Sequence, residues 1–263
     1  MFSSMLPWRP FPITTLTVRQ FLAGRAVRVV TALALIPALF GLIYRINSEW
    51  TTPYRFLVEP VFLELFSPTL IPIMVLILAT SAIGNEIEDR TLPYLTLKPR
   101  TRARIVLEKL GGVLLVALPT ILLGLVLTWA LVEGASGPRR LLGRGLDQPD
   151  LLPVLGAMAA AAAVGIVAFA AIFLTVSLFV PRALLAGMIY AFAWESLLGR
   201  FLPGIRLVSV RHYIQSIFVR LLDDPSVTIE NAFTLRAALV TMGIAIALAL
   251  ILATWRLGRL NLD

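Results

Sequence analysis

Residues Leu151–Val180 read LLPVLGAMAAAAAVGIVAFAAIFLTVSLFV, a run without one charged side chain. A helix needs about 20 predominantly apolar residues to cross the ~30 Å hydrocarbon layer. This run exceeds that length, so a helix built from it is tilted or extends past the bilayer. Small residues recur along it at Gly156, Ala160, Ala161 and Gly165, at spacings that let another helix approach closely. They fit either plain Ala-rich helix packing or a specific dimer face. Pro181-Arg182 then makes a tight turn into the next apolar run, Ala183–Leu202, and the two runs form a hairpin.

Working outward, four more runs of membrane length stand at Val27–Tyr44, Leu65–Ile83, Leu110–Val132 and Phe233–Trp255. The expectation is six spans in one membrane domain covering residues 1–263. Composition agrees: 59% of the 263 residues are hydrophobic, 14% are charged and mean hydropathy is +0.89. Soluble domains run at about 45–50% apolar and about 25% charged, so lipid must be the solvent for much of this chain. Pro37, Pro72 and Pro119 fall inside three spans and predict kinks or freed carbonyls. The first twelve residues carry Pro7, Pro10 and Pro12 and no small-residue cleavage site, so the first run is expected to stay as a mature helix.

The chain has no Cys and one His, His212, which excludes disulfides, thiolate chemistry and His-rich metal sites. It also lacks G-x-x-x-x-G-K-[ST], G-x-S-x-G and H-E-x-x-H, so no catalytic residue is assigned and the chain is not read as an enzyme. The formal charge is +8. Positive-inside loops and anionic headgroups account for it, with no need for nucleic acid. With the N-terminus inside, the inner segments carry 13 of the 23 basic residues and the outer ones 10. The densest cluster follows the second span, and short-loop charge weighs most. Both termini are therefore expected to be cytoplasmic, in a cell (plasma or inner) membrane.

That cluster belongs to the polar stretch Gly84–Lys109, GNEIEDRTLPYLTLKPRTRARIVLEK. An acidic group (Glu86, Glu88, Asp89), a short apolar core (Thr91, Leu92, Leu95) and a basic group (Arg100, Arg102, Arg104, Lys109) describe a surface built to meet another protein. Gly84 is expected to end the second span as a helix cap. The acids would favour a new helix N-terminus, and the basic residues would anchor the segment at headgroup level.

The pattern E-x-E-x-x-T-L-x-x-L-x-x-x-P-x-x-R, with a Lys seven residues on, resembles the cytoplasmic loop of ABC type-2 transporter permeases. The matching positions are Glu86, Glu88, Thr91, Leu92, Leu95, Pro99, Arg102 and Lys109. Arg90 stands where that family often has Gly. The motif covers about 25 residues, while the layout of six spans with an N-terminal amphipathic lead-in is similar over the whole chain. The resemblance implies that this loop is a coupling helix docking on a separate ATP-binding subunit, present in two copies, which holds the ATP and Mg. It also implies a second permease chain, identical or related, and no cofactor on this chain.

Two further features remain. Arg206–Leu222 places Leu207, Val210, Ile214, Ile217, Phe218 and Leu221 at helical spacing, with His212 on the polar face, and Asp223-Asp224-Pro225 stops it. It reads as an external amphipathic helix lying in the outer interface or re-entering it. A plain surface helix over the bundle fits equally. Glu195, after Trp194, lies inside the fifth span, where an ionisable group is costly. It either lines a pathway or pairs structurally, for instance with Arg200. Glu59 and Glu64 are read as interfacial.

The expected fold is an all-α membrane bundle of six transmembrane helices. It includes an N-terminal interfacial helix near Ile13–Val27, a cytoplasmic coupling helix after the second span and an external amphipathic or re-entrant segment before the sixth. The expected function is the permease subunit of an ABC exporter. The alternatives are a non-transporting ABC-type mechanotransmitter or scaffold, and a secondary transporter, which would need more intramembrane polar sites than Glu195 supplies.

Overall fold

The computed structural model describes residues 12–46, 51–88, 101–141, 150–180, 182–190 and 209–259, with backbone alone at 83–88 and 135–141. The described residues are mostly helical, with no strand among them. Five helices are long and apolar enough to cross a membrane: Arg25–Ile46, Pro53–Ala82, Arg102–Gly134, Leu151–Phe179 and Leu235–Arg259. The chain is thus a multi-pass helical membrane protein. Of the further expected span, Ala183–Leu202, only the part up to Tyr190 is described.

Helix α1 (Pro12–Ala23) buries Ile13, Thr17 and Phe21, a stripe at four-residue spacing. The first span is split into α2 (Arg25–Ala34) and α3 (Ile36–Ile46). Pro37 explains the break: it offers no N–H to the Leu33 carbonyl, and the Leu35 amide is shared between the Thr31 and Ala32 carbonyls at 3.2 and 3.3 Å. Both halves pack on α6 (Arg102–Leu141). Gly124 permits the crossing, because a Cβ there would run into the Ala34 backbone carbonyl. Pro119 lies inside α6, and the helix runs on through it.

The second span begins earlier than its hydropathy suggests, at Pro53 instead of Leu65. A short α4 (Pro53–Phe56) opens it, capped by the Thr52 hydroxyl, which accepts from the Arg55 amide at 3.3 Å. A π-helix then runs over Leu57–Leu70, and α5 (Ile71–Glu88) completes the span with Pro72 in its first turn. In π-geometry the Leu63 carbonyl should accept from residue 68. That residue is Pro68, which has no N–H. Gln215 fills the gap: its Nε2 donates to the Leu63 carbonyl at 2.8 Å and to Ser67 Oγ at 3.1 Å. Glu59 accepts from Arg55 Nε at 3.0 Å in an exposed pair.

Helix α7 (Leu151–Phe179) is the central strut, touching α5, α6, α10 (Leu235–Arg259) and α9 (Val210–Leu222). Of its four small residues, Ala161 and Gly165 face the interior, whereas Gly156 and Ala160 are exposed. Beyond α7, Val180 is extended and Arg182 takes a left-handed conformation (φ 59°) that turns the chain into α8 (Ala183–Ile189).

The amphipathic segment is not a plain surface helix over the bundle. Helix α9 is buried along most of its length, inserted between α7, α10 and the π-helix. Ile214 occupies the space over Gly165, where a Cβ would collide with it. Gly165 lies 14 residues into α7, about 21 Å at 1.5 Å per residue, so α9 reaches far down the bundle. Val210, Ile214, Ile217 and Phe218 are buried, whereas Leu221 is exposed; Leu207 lies outside the described residues. His212 is not on a solvated polar face. It is buried, its Nε2 lies 3.2 Å from the Asn231 carbonyl, and its ring meets Phe233 edge-on. Ser209 caps the helix start and Asp223, with φ 51°, closes it where the Asp-Asp-Pro signal ends the pattern.

Candidate functional site

The polar stretch between the second and third spans is the strongest functional candidate in the sequence, and the structure describes its two ends. Helix α5 does not stop at Gly84. It runs on to Glu88, so Glu86 and Glu88 fall in its final turns and do not begin a new helix. A single glycine costs a helix only about 1 kcal/mol, so Gly84 is a weak stop. Two carboxylates at the negative end of a helix dipole are unfavourable by about 0.3–1 kcal/mol each, and no basic residue shares that turn. Arg90, Thr91, Leu92, Leu95 and Pro99 lie outside the described residues, as do Trp194 and Glu195.

The chain re-enters at Thr101, whose carbonyl accepts from the Arg104 and Ile105 amides as α6 begins. Arg102 is the first residue of α6, and its Nη1 is buried without a hydrogen-bond partner among the described residues. Arg102, Arg104 and Lys109 therefore belong to the first turns of a spanning helix, whereas Arg100 lies outside the described residues. Lys109 corrects the headgroup expectation. It is only 1% exposed, and its Nζ donates to the Ala82 carbonyl at 2.9 Å. An ammonium is tolerated there because it lies against a backbone acceptor near the end of α5. The contact binds α5 to α6 just below the polar segment.

Glu108, one residue earlier, was not marked by any sequence pattern as a functional position. It is 4% exposed and holds three groups. Oε1 accepts from Arg104 Nε at 2.8 Å, Oε2 accepts from the Ile13 amide at 3.0 Å, and its backbone carbonyl accepts from Thr14 Oγ1 at 2.9 Å. Ile13 is the second residue of α1, so its amide is one of the donors that a helix start leaves unpaired. A carboxylate placed there also complements the helix dipole. The one sequence signal for this role is Arg104 four residues before Glu108, a spacing suited to an ion pair. The partner 95 residues away has no local signature.

Adjacent residues of α6 thus reach in two directions, Glu108 to the start of α1 and Lys109 to the end of α5. The result is a braced platform from which residues 89–100 depart and to which they return. Among the described residues no three His, Cys, Asp or Glu side chains come together as a metal site. No protein-family model matches the chain, and no curated protein matches it.

Proposed function

We propose that this chain is the membrane-spanning permease subunit of an ABC transporter of the type-2 kind, working as an exporter with six spans and both termini cytoplasmic. Two ATP-binding subunits and a second permease chain complete the assembly. Hydrolysis belongs to the ATP-binding subunits, which dock on the 84–109 segment. The observation that carries this reading is the braced platform. A segment meant to receive force from a partner needs a stiff base, and here Lys109 and Glu108 tie that base to α5 and α1. The acidic end of α5 adds support, since carboxylates unfavourable to their own helix are suited to a basic partner surface. The burial of α9 beside the central strut suits an element near the exit of a pathway.

The test is co-purification with the cognate ATP-binding subunit, together with substrate-stimulated hydrolysis, for wild type, Glu88→Lys and Leu92→Asp. A charge left unpaired in a packed contact costs on the order of 2–5 kcal/mol. Both variants should lose assembly or coupling while retaining wild-type thermal stability. If both assemble and couple like wild type, the segment is a solvated loop and the reading fails.

A further inference from the structure

A second polar feature lies at the same end of the bundle, where α7 and α10 finish side by side. Thr175 Oγ1 donates to the Ala249 carbonyl at 2.9 Å and Arg256 Nε to the Leu178 carbonyl at 3.3 Å, so the two helices descend together. Arg256 also lies over the Phe179 ring at 5.4 Å, and one turn on Arg259 lies over Trp255 at 4.3 Å. Arg182, exposed in its left-handed turn, is three residues from Phe179, a reach of at most about 11 Å. Arg256 and Arg259 thus lie one turn apart at this corner, and the chain brings Arg182 within reach of it. No acidic residue occurs from 151 to 190 or from 231 to 259. On α6, which also packs against α10, the carboxylate at this end is Glu108, already held by Arg104 and Ile13. Helix α5, which packs on α7 and α8, brings Glu86 and Glu88 in its final turns.

Capping of helix ends explains part of this arrangement. Arg256 Nε serves one of the last carbonyls of α7, which would otherwise lack a donor. It does not explain Arg182 and Arg259, which are exposed, nor the terminal nitrogens of Arg256. Directly along the helices from these charges, Phe179, Ile251, Leu252 and Trp255 are exposed apolar side chains on spans that face lipid. Trp with Arg at a span end is the arrangement of an interfacial anchor. Planar guanidinium forks match phosphate oxygens in pairs. We propose that Arg182, Arg256 and Arg259 form a binding site for the phosphate headgroup of an anionic phospholipid, with its acyl chains lying along Trp255 and Phe179. The site is independent of the ABC reading, since it requires only a membrane chain.

The experiment uses the full chain in phosphatidylcholine vesicles containing phosphatidylglycerol, with bromine on one lipid or the other, and reads tryptophan quenching. The difference between wild type and Trp255→Phe isolates Trp255 among the five tryptophans. Brominated phosphatidylglycerol should quench Trp255 in clear preference to brominated phosphatidylcholine. Each of Arg182→Gln and Arg259→Gln should lower that preference about fivefold, the ratio matching about 1 kcal/mol per basic residue. These two variants carry the test if Arg256→Gln, which also loses the Leu178 contact, fails to fold. Equal quenching by the two lipids in wild type, or an undiminished preference in both variants, overturns the site. Abolition of the preference by soluble glycerol phosphate also overturns it, because the ligand would then be a free phosphate.

Discussion

Substituting Gln215 with leucine removes the donor that serves the Leu63 carbonyl, and its cost can be worked from the two elements involved. Pro68 denies that carbonyl its π-helical partner, and the Gln215 amide supplies one from α9 at 2.8 Å while also reaching Ser67 Oγ. Leu is similar in size, so packing is nearly conserved and the loss is polar. A buried acceptor left without a donor costs about 1–3 kcal/mol. Interhelical hydrogen bonds measured in membranes average nearer ~0.6 kcal/mol. The higher figure applies if the carbonyl stays unserved, and the lower if the Ser67 hydroxyl, one α-turn away, turns to it. For a chain of this size each kcal/mol lowers Tm by about 2–4 °C. The assay is tryptophan-monitored thermal unfolding of the detergent-purified chain. Pro68→Ala restores a backbone N–H at the position the π-helix requires, so it should recover most of the loss in the Gln215→Leu background while changing wild type little. If Gln215→Leu melts with wild type, or Pro68→Ala rescues nothing, the proline-made vacancy is not what Gln215 stabilises.

Two other predictions concern the ends of the bundle. Thr17 is buried under α1, so Thr17→Cys in this Cys-free chain should resist thiol labelling. Adding Glu108→Ala should free the start of α1 and raise the labelling rate about five- to a hundredfold, matching the loss of about 1–3 kcal/mol; an unchanged rate would refute the tie. At the opposite end, Asp224 has its carboxyl held below the usual range, first by the Tyr54 hydroxyl that donates to it and then by the Ser226 amide at 2.8 Å. A depressed folded-state value means its contribution is full above the ordinary Asp value of about 3.9 and fades as pH falls through the folded one. Thermal stability should therefore carry a decline below about pH 4 that Asp224→Asn removes, and an identical pH profile in the variant would count against the Tyr54 contact.

The spans were legible because hydropathy is a local sum. Thirty uncharged residues at Leu151–Val180 have one solvent available to them whatever surrounds them. The break at Pro37 and the stop at Asp223 were legible for the same reason, since each depends on a backbone constraint within a turn of chain. Span ends were not. The second span gained twelve residues because the Thr52 hydroxyl caps a helix that Pro53 can begin, and α5 outran Gly84 because one glycine is a weak stop. The sequence by itself determined a helical membrane chain, most of its spans and the polar segment between the second and third. Tertiary structure alone decided that α9 is buried, that Lys109 faces the Ala82 carbonyl instead of a headgroup, that Glu108 holds α1 and that Gln215 repairs the π-helix. Each of the last three pairs a side chain with a backbone group between 27 and 152 residues away. No local pattern encodes such a pairing, because the need for a donor or an acceptor arises only once the helices have met and water has left.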